Sequence, residues 1–277
     1  MPAAGVPGRE GARSTTGPMR LALTRRVSPS LAGCELTFRA RTPIDAERAA
    51  TQHEAYERAL AQAGCHLLPL PAEPDLPDSV FVEDVALVLE EVAVILRPGA
   101  ASRWPETLSV AHALAPYRDV AVIGEPGTLD GGDVLRVGRT LFVGATGRSN
   151  GAGIAQLRAV VAPLGYDVRA VPVTGCLHLK SAATLVAPDA VLINRLWVDA
   201  GYFAGLELLD VHAGEPDAAN ALLIGSALIY AASHPRTRGL LEARGIDVRA
   251  VDVSEMEKAE GAVTCCSIVF EAPSIAS

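Results

Sequence analysis

Close to its C-terminus the chain reads Glu260-Gly261-Ala262-Val263-Thr264-Cys265-Cys266-Ser267, and this thiol pair has the greatest capacity for chemistry. Adjacent cysteines do not share a zinc ion as a C-x-x-C loop does, and bridging one to the other is strained. Each is therefore either a buried structural thiol or a nucleophile. Three distant segments carry the groups that a thiol nucleophile needs. The stretch 77–84 (PDSVFVED) sets acids against the start of an apolar run. The stretch 128–133 (TLDGGD) combines acids with paired glycines, which let a backbone approach another group closely. The stretch 177–181 (LHLKS) supplies an imidazole. Plainer readings exist for each: His178 as a packing residue, Asp130 as a turn residue, Cys176 and His178 as two positions on one strand face. Taken together, a thiol, an imidazole and several carboxylates form a set for covalent catalysis with acid and base exchange.

The elements that must position these groups recur with a simple grammar. Paired strand-like runs occupy 85–89 and 92–96, 134–137 and 141–143, 183–186 and 191–193, 221–224 and 227–230. Short Gly, Pro, Asp or Glu turns separate the partners, which is the hairpin signal. Helix-period segments cover 46–64, 103–117, 151–164 and 235–244, with Asp45 and Asn150 as start signals and Gly245 as a stop. A short strand follows three of them, at 120–123, 167–171 and 247–251. A supersecondary unit repeated in this way predicts an α/β ring of similar modules rather than an open doubly wound sheet. No G-x-x-x-x-G-K or G-x-G-x-x-G loop opens a helix, so a nucleotide cofactor has no support.

Composition narrows the class further. With 277 residues, 49% hydrophobic and only 4% aromatic, the chain can bury a large aliphatic core. A net charge of −8, with no long basic run, argues against a nucleic-acid partner. Five cysteines lack the spacing of a disulfide framework and predict reduced thiols in the cytoplasm. The longest apolar stretch, 221–232, is too short to span a membrane. Residues 1–18 lack a signal-peptide core and read as a disordered leader, leaving 19–277 as a single catalytic domain.

Five ordered signatures, SVFVEDVALV, RPGA, TLDGGDVL, LHLKS and EMEKAEGAVTCCS, run through nearly the whole chain. In these it resembles the dimethylarginine dimethylaminohydrolase family of the guanidino-group-modifying pentein superfamily. The resemblance implies a five-bladed ββαβ α/β-propeller, the pentein fold. It also implies a hydrolase that converts Nω-methylated L-arginine to L-citrulline and a methylamine through a covalent S-alkylthiouronium. By the same resemblance Cys265 is the nucleophile, with Cys266 its packing neighbour. His178 is the general acid and base, and Asp130 the acid at the guanidinium. Glu83, Asp84 and Glu260 fall among the acids that surround the guanidinium, although Glu260 replaces the Asp of mammalian members. Asp78 matches the residue that takes the substrate ammonium, Arg97 and Arg148 those that take its carboxylate, and Leu36 a lid leucine. No metal or cofactor is implied.

These residue types suit a guanidinium on chemical grounds as well. The cation is planar and resonance-stabilised, so carboxylates along its edges must hold its central carbon towards a thiolate. An acid-rich pocket keeps the free thiol at a normal or raised pKa, and a bound cation would then promote ionisation. Three alternatives stay open. Arginine deiminase or amidinotransferase chemistry uses the same groups, but those chains generally carry longer insertions. A non-catalytic propeller that binds a ligand would be expected to lack one of Cys265, His178 and Asp130. A metal module would rest on Cys176 and His178; zinc caught by the active-site thiol would act instead as an inhibitor. The segment 196–216 is a candidate for substrate preference or for a homodimer edge, with Trp197, Tyr202 and Phe203 read first as packing residues.

Overall fold

The computed structural model describes residues 18–273; the leader expected at 1–18 lies outside this range except for its last residue. The described residues form five separate three-stranded sheets, and each combines one antiparallel pair with one parallel pair. The first sheet starts with β1 (Met19–Arg25), crosses through α1 (Ala46–Gln62) and returns in β2 (His66–Leu70). The second holds β3 (Ala86–Val88), β4 (Val92–Ile95) and, after α2 (Glu106–Leu114), β5 (Asp119–Val122). The third repeats this with β6 (Val134–Val137), β7 (Thr140–Ala145), α3 (Gly151–Val161) and β8 (Asp167–Pro172). A short α4 (Leu179–Ala182) leads into β9 (Ala183–Ala187), β10 (Ala190–Ile193) and β11 (Glu207–Asp210). Next come β12 (Ala221–Ile224), β13 (Ala227–Ala231), α5 (Pro235–Glu242) and β14 (Asp247–Val251). After α6 (Ser254–Lys258), β15 (Ile268–Ala272) pairs antiparallel with β1, from Met19 opposite Ala272 to Leu23 opposite Ile268. The last strand thereby completes the first sheet and closes a five-bladed propeller.

Local chemistry explains the elements. The Asp45 carboxylate accepts from the Glu47 and Arg48 amides at 3.1 and 3.0 Å and caps α1. Asn150 caps α3 through the Gly153 amide at 2.8 Å, each cap contributing about 1 kcal/mol. The middle strands β4, β10 and β13 are buried along their whole length, matching runs that are aliphatic throughout except for Tyr230 in β13. Two expectations are corrected. α2 begins at Glu106 instead of 103, because Ala101–Arg103 forms a 3-10 turn that turns Arg103 inward. The fourth blade has no α-helix before its outer strand, only the 3-10 turn Ala200–Phe203. Within that turn Phe203 is buried, its ring 5.0 Å from that of Phe142, whereas Tyr202 is exposed. Among the described residues no helix is long and apolar enough to cross a membrane.

Candidate active site

Loops that lead into β3, β9 and β15 and loops that follow β1, β4 and β7 converge on one small cavity. Cys265, His178, Asp84, Asp78, Arg148 and Glu260 line it, together with Glu35, Phe81, Arg103, Leu177, Ala259 and Gly261. Each wall has its own support. The 262–267 loop is tied down where the Tyr56 hydroxyl donates to the Val263 carbonyl at 2.8 Å and pairs with the Ser267 hydroxyl at 2.6 Å. Asn220 clasps Thr264 from the other side, and the Glu83 amide donates to the Cys265 carbonyl at 3.1 Å. The Cys265 thiol is thus fixed on a loop bonded to three separate elements.

His178 stands immediately before α4 in a bend rather than on a strand, so the alternation read for Cys176 and His178 does not apply. Its Nε2 lies 3.0 Å from Asp130 Oδ2, and its Nδ1 lies 4.0 Å from Asp84 Oδ1. Burial opposes a charge on this ring, but Asp84, the Asp130 hydrogen bond and Asp133 outweigh it and push His178 up to about 9. Asp130 is itself oriented by the Gly99 amide at 2.7 Å and by its own amide donating to Ser149 Oγ at 3.1 Å. The paired glycines expected to allow close approach do so here. A Cβ on Gly131 would fall 1.9 Å from the Glu83 carbonyl oxygen, and one on Gly132 would fall 2.5 Å from His178 Nδ1.

The Asp84 carboxylate accepts from the Gly132 amide at 3.0 Å and from Arg103 Nη1 at 2.6 Å. Burial works against its charge, yet His178 and Arg103 hold it below the usual carboxylate range. Burial, then Asp84 and Glu83, push the Cys265 thiol up to about 12. Without a further cation the site therefore holds a neutral thiol, an imidazolium and ionised Asp84. Asp84, Asp130 and His178 also offer ligand atoms within 4.8 Å of one another, enough to hold a cation in principle. Their oxygens are already engaged by Arg103, Gly132, Gly99 and His178, which favours an organic cation stacked beside them over a bare metal ion.

The remaining expected residues divide. Asp78 is buried, accepts from the Glu35 amide at 3.1 Å, and is raised by its burial. Glu83 points away from the cavity and pairs with Lys180 at 2.5 Å. Arg97 does not line the cavity; its guanidinium stacks 3.8 Å above the Trp104 ring. Arg148 lines the cavity and donates to Thr37 Oγ1 at 3.1 Å. Leu36 packs half-buried against the cluster that contains Cys265 and Cys266. Glu260 lines the cavity, but its carboxylate accepts from the Thr37, Phe38 and Arg39 amides. Sequence reasoning missed Arg103, which binds Glu106 at 2.9 Å as well as Asp84, and the carbonyls of Asp78 and Phe81. Its only signal was a Glu three residues on, ahead of a helix.

No family model matches the chain. Individual proteins do. A relative from Streptomyces coelicolor named N(G),N(G)-dimethylarginine dimethylaminohydrolase is 46% identical over 252 residues, covering 91% of this chain and 97% of its own. One of the same name from Pseudomonas aeruginosa is 33% identical over 228 residues, covering 82% and 90%. A solved structure of the Pseudomonas protein, a cysteine-to-serine mutant complexed with citrulline, superposes with a TM-score of 0.86 at 32% identity, over 91% of this chain and all of that one. The N-terminal domain of a cyanobacterial arginine dihydrolase shares the fold at a TM-score of 0.77 and 18% identity. With identity spread over nearly its full length and the propeller closed by its own last strand, the chain belongs to the dimethylarginine dimethylaminohydrolase family of the pentein superfamily.

Proposed function

We propose that the cavity is the catalytic centre of a hydrolase that cleaves Nω-methylated L-arginine to L-citrulline and methylamine or dimethylamine. The observation that carries this reading is the placement of His178 between Asp130 and Asp84, in one cavity with the Cys265 thiol. Asp84 holds the guanidinium by charge-assisted hydrogen bonds, and Asp78 and Arg148 take the ammonium and carboxylate of the amino-acid end. The Cys265 thiol loses its proton to solvent as the cationic substrate binds, and the thiolate attacks the central guanidinium carbon and forms a C–S bond. His178, an imidazolium at neutral pH, passes its proton to the methylated nitrogen as the C–N bond breaks and the amine leaves. The product is an S-alkylthiouronium. Neutral His178 then takes a proton from water, the hydroxide adds to the same carbon, and the C–S bond breaks to release citrulline and the thiol. Asp130 keeps the imidazole oriented throughout. The five free, buried cysteines support a reducing compartment such as the cytoplasm.

The test is citrulline formation from asymmetric dimethylarginine, monomethylarginine and arginine, beside a Cys265→Ser control. Citrulline from the methylated substrates, lost in the control, supports the reaction and the nucleophile together. Turnover of arginine alone, with release of ammonia, moves the assignment to a deiminase.

A further inference from the structure

Glu260 lies in the left-handed region at φ 58°, the one described non-glycine residue that does so. It follows α6, where the Gly261 amide donates to the Met256 carbonyl at 2.9 Å and closes the helix end. Glycine is the usual residue at such a capping position, because a Cβ there is strained. A glutamate held at that position has its side chain aimed in a fixed direction. Its carboxylate meets three successive amides of an otherwise exposed segment: Thr37 at 3.0 Å, Phe38 at 2.5 Å, and Arg39. Consecutive N–H groups converging on one anion form a backbone nest. The same segment touches the site at two more points, the Glu35 amide on Asp78 and the Thr37 hydroxyl on Arg148.

We propose that Glu260 is a positioning residue that latches residues 34–41 over the cavity, and that it does not contact the guanidinium. The consequence for turnover rests on the reading of Asp78 and Arg148 given above. Those two side chains exchange their contacts with the segment for the ammonium and carboxylate of the arriving substrate. Glu260 has no such exchange to make, so, with Ser102 on Glu35 at 2.6 Å and the exposed Arg39–Asp217 pair at 3.1 Å, it keeps the segment attached while the anchors at Asp78 and Arg148 change partners. Side-chain length then matters. Aspartate at this position is one methylene shorter and falls short of the nest, whereas it would still serve as an ion partner for a guanidinium.

The experiment is amide hydrogen exchange over 35–41, with trypsin cleavage after Arg39, in the wild-type chain and in Glu260→Gln, Glu260→Asp and Glu260→Gly. Loss of a charge-assisted set of hydrogen bonds predicts exchange and cleavage faster by roughly tenfold or more in all three. Glu260→Gly also relieves the left-handed strain, so its Tm stays level or rises while the segment loosens. A merely structural role would lower Tm and loosen the whole molecule. KM for asymmetric dimethylarginine rises more than kcat falls, because binding and closure are affected rather than chemistry. Unchanged exchange in Glu260→Gln overturns the latch, and a raised KM with unchanged exchange assigns Glu260 to the substrate instead. The exchange result stands whatever substrate is turned over, so it separates a failure of the latch from a failure of the proposed function.

Discussion

A thiol held at about 12 is a poor nucleophile at neutral pH, and the remedy predicted here is the substrate's own charge. At pH ~7.5 only about one Cys265 in 30,000 would be ionised. The groups that raise it after burial itself are Asp84 and Glu83, and a guanidinium seated on Asp84 opposes both. One positive charge about 4 Å from the sulfur is worth about 4 kcal/mol at an effective dielectric of ~20. That lowers the midpoint by about 3 pH units and leaves roughly one thiol in 30 ionised. The assay is the ultraviolet absorbance of the thiolate, read as a difference between wild type and Cys265→Ser across pH. It is run alone, with citrulline, and with an amidinium analogue of arginine that carries a methyl group in place of the leaving amine. The analogue should bring the midpoint down towards 9, while uncharged citrulline leaves it near its free value. A midpoint indifferent to the cation, or moved equally by citrulline, would refute the electrostatic argument.

Replacing Arg103 with Met would strand buried Asp84 and Glu106 without their shared cation. Unfolding free energy should drop by about 3–5 kcal/mol, which a denaturant titration measures; a loss below about 1 kcal/mol would mean the pair is not what holds the segment. Gly132→Ala places a Cβ 2.5 Å from His178 Nδ1 and 2.9 Å from Asp84 Oδ1. The ring must move, so kcat should fall roughly a hundredfold with a smaller effect on Tm, and near-normal turnover would contradict the geometry. His178 is raised from 6.5 to about 9, so the stability it adds is complete below 6.5 and is lost as pH rises through about 9. The full effect is roughly 3 kcal/mol. Asp133, at about 6, and Glu106, at about 7, titrate lower, whereas the five buried thiols, all raised from 9.0, add a decline of their own as the unfolded chain ionises, so the histidine's share is the part that Asp130→Asn removes. Denaturant midpoints across that range should fall in wild type and fall less in Asp130→Asn; parallel curves would remove Asp130 as the histidine's partner.

Much of the fold was legible because its causes are local. Alternating turns and aliphatic runs mark each hairpin, Asp45 and Asn150 mark helix starts, and their recurrence implies a ring. The types of group in the site were legible too, since Cys265, His178 and Asp130 sit in short, distinctive stretches that ordinary packing does not call for. What the sequence could not carry were relations between distant segments. Residue 19 lies opposite residue 272 only because five blades of this size turn through a full circle, and no local pattern encodes that closure. Arg103 reads as one more surface arginine until the 3-10 turn before α2 sends it inward, where low dielectric makes it the partner of Asp84. Glu260 reads as one more acid near a thiol. Its backbone conformation and the three amides it meets are set by α6 and by a segment more than two hundred residues earlier. The sequence by itself determined which chemical groups are available and in what local frames. The tertiary structure decided which carboxylate faces which cation, because charge interactions depend on distance and burial, and both are set only when the ring closes.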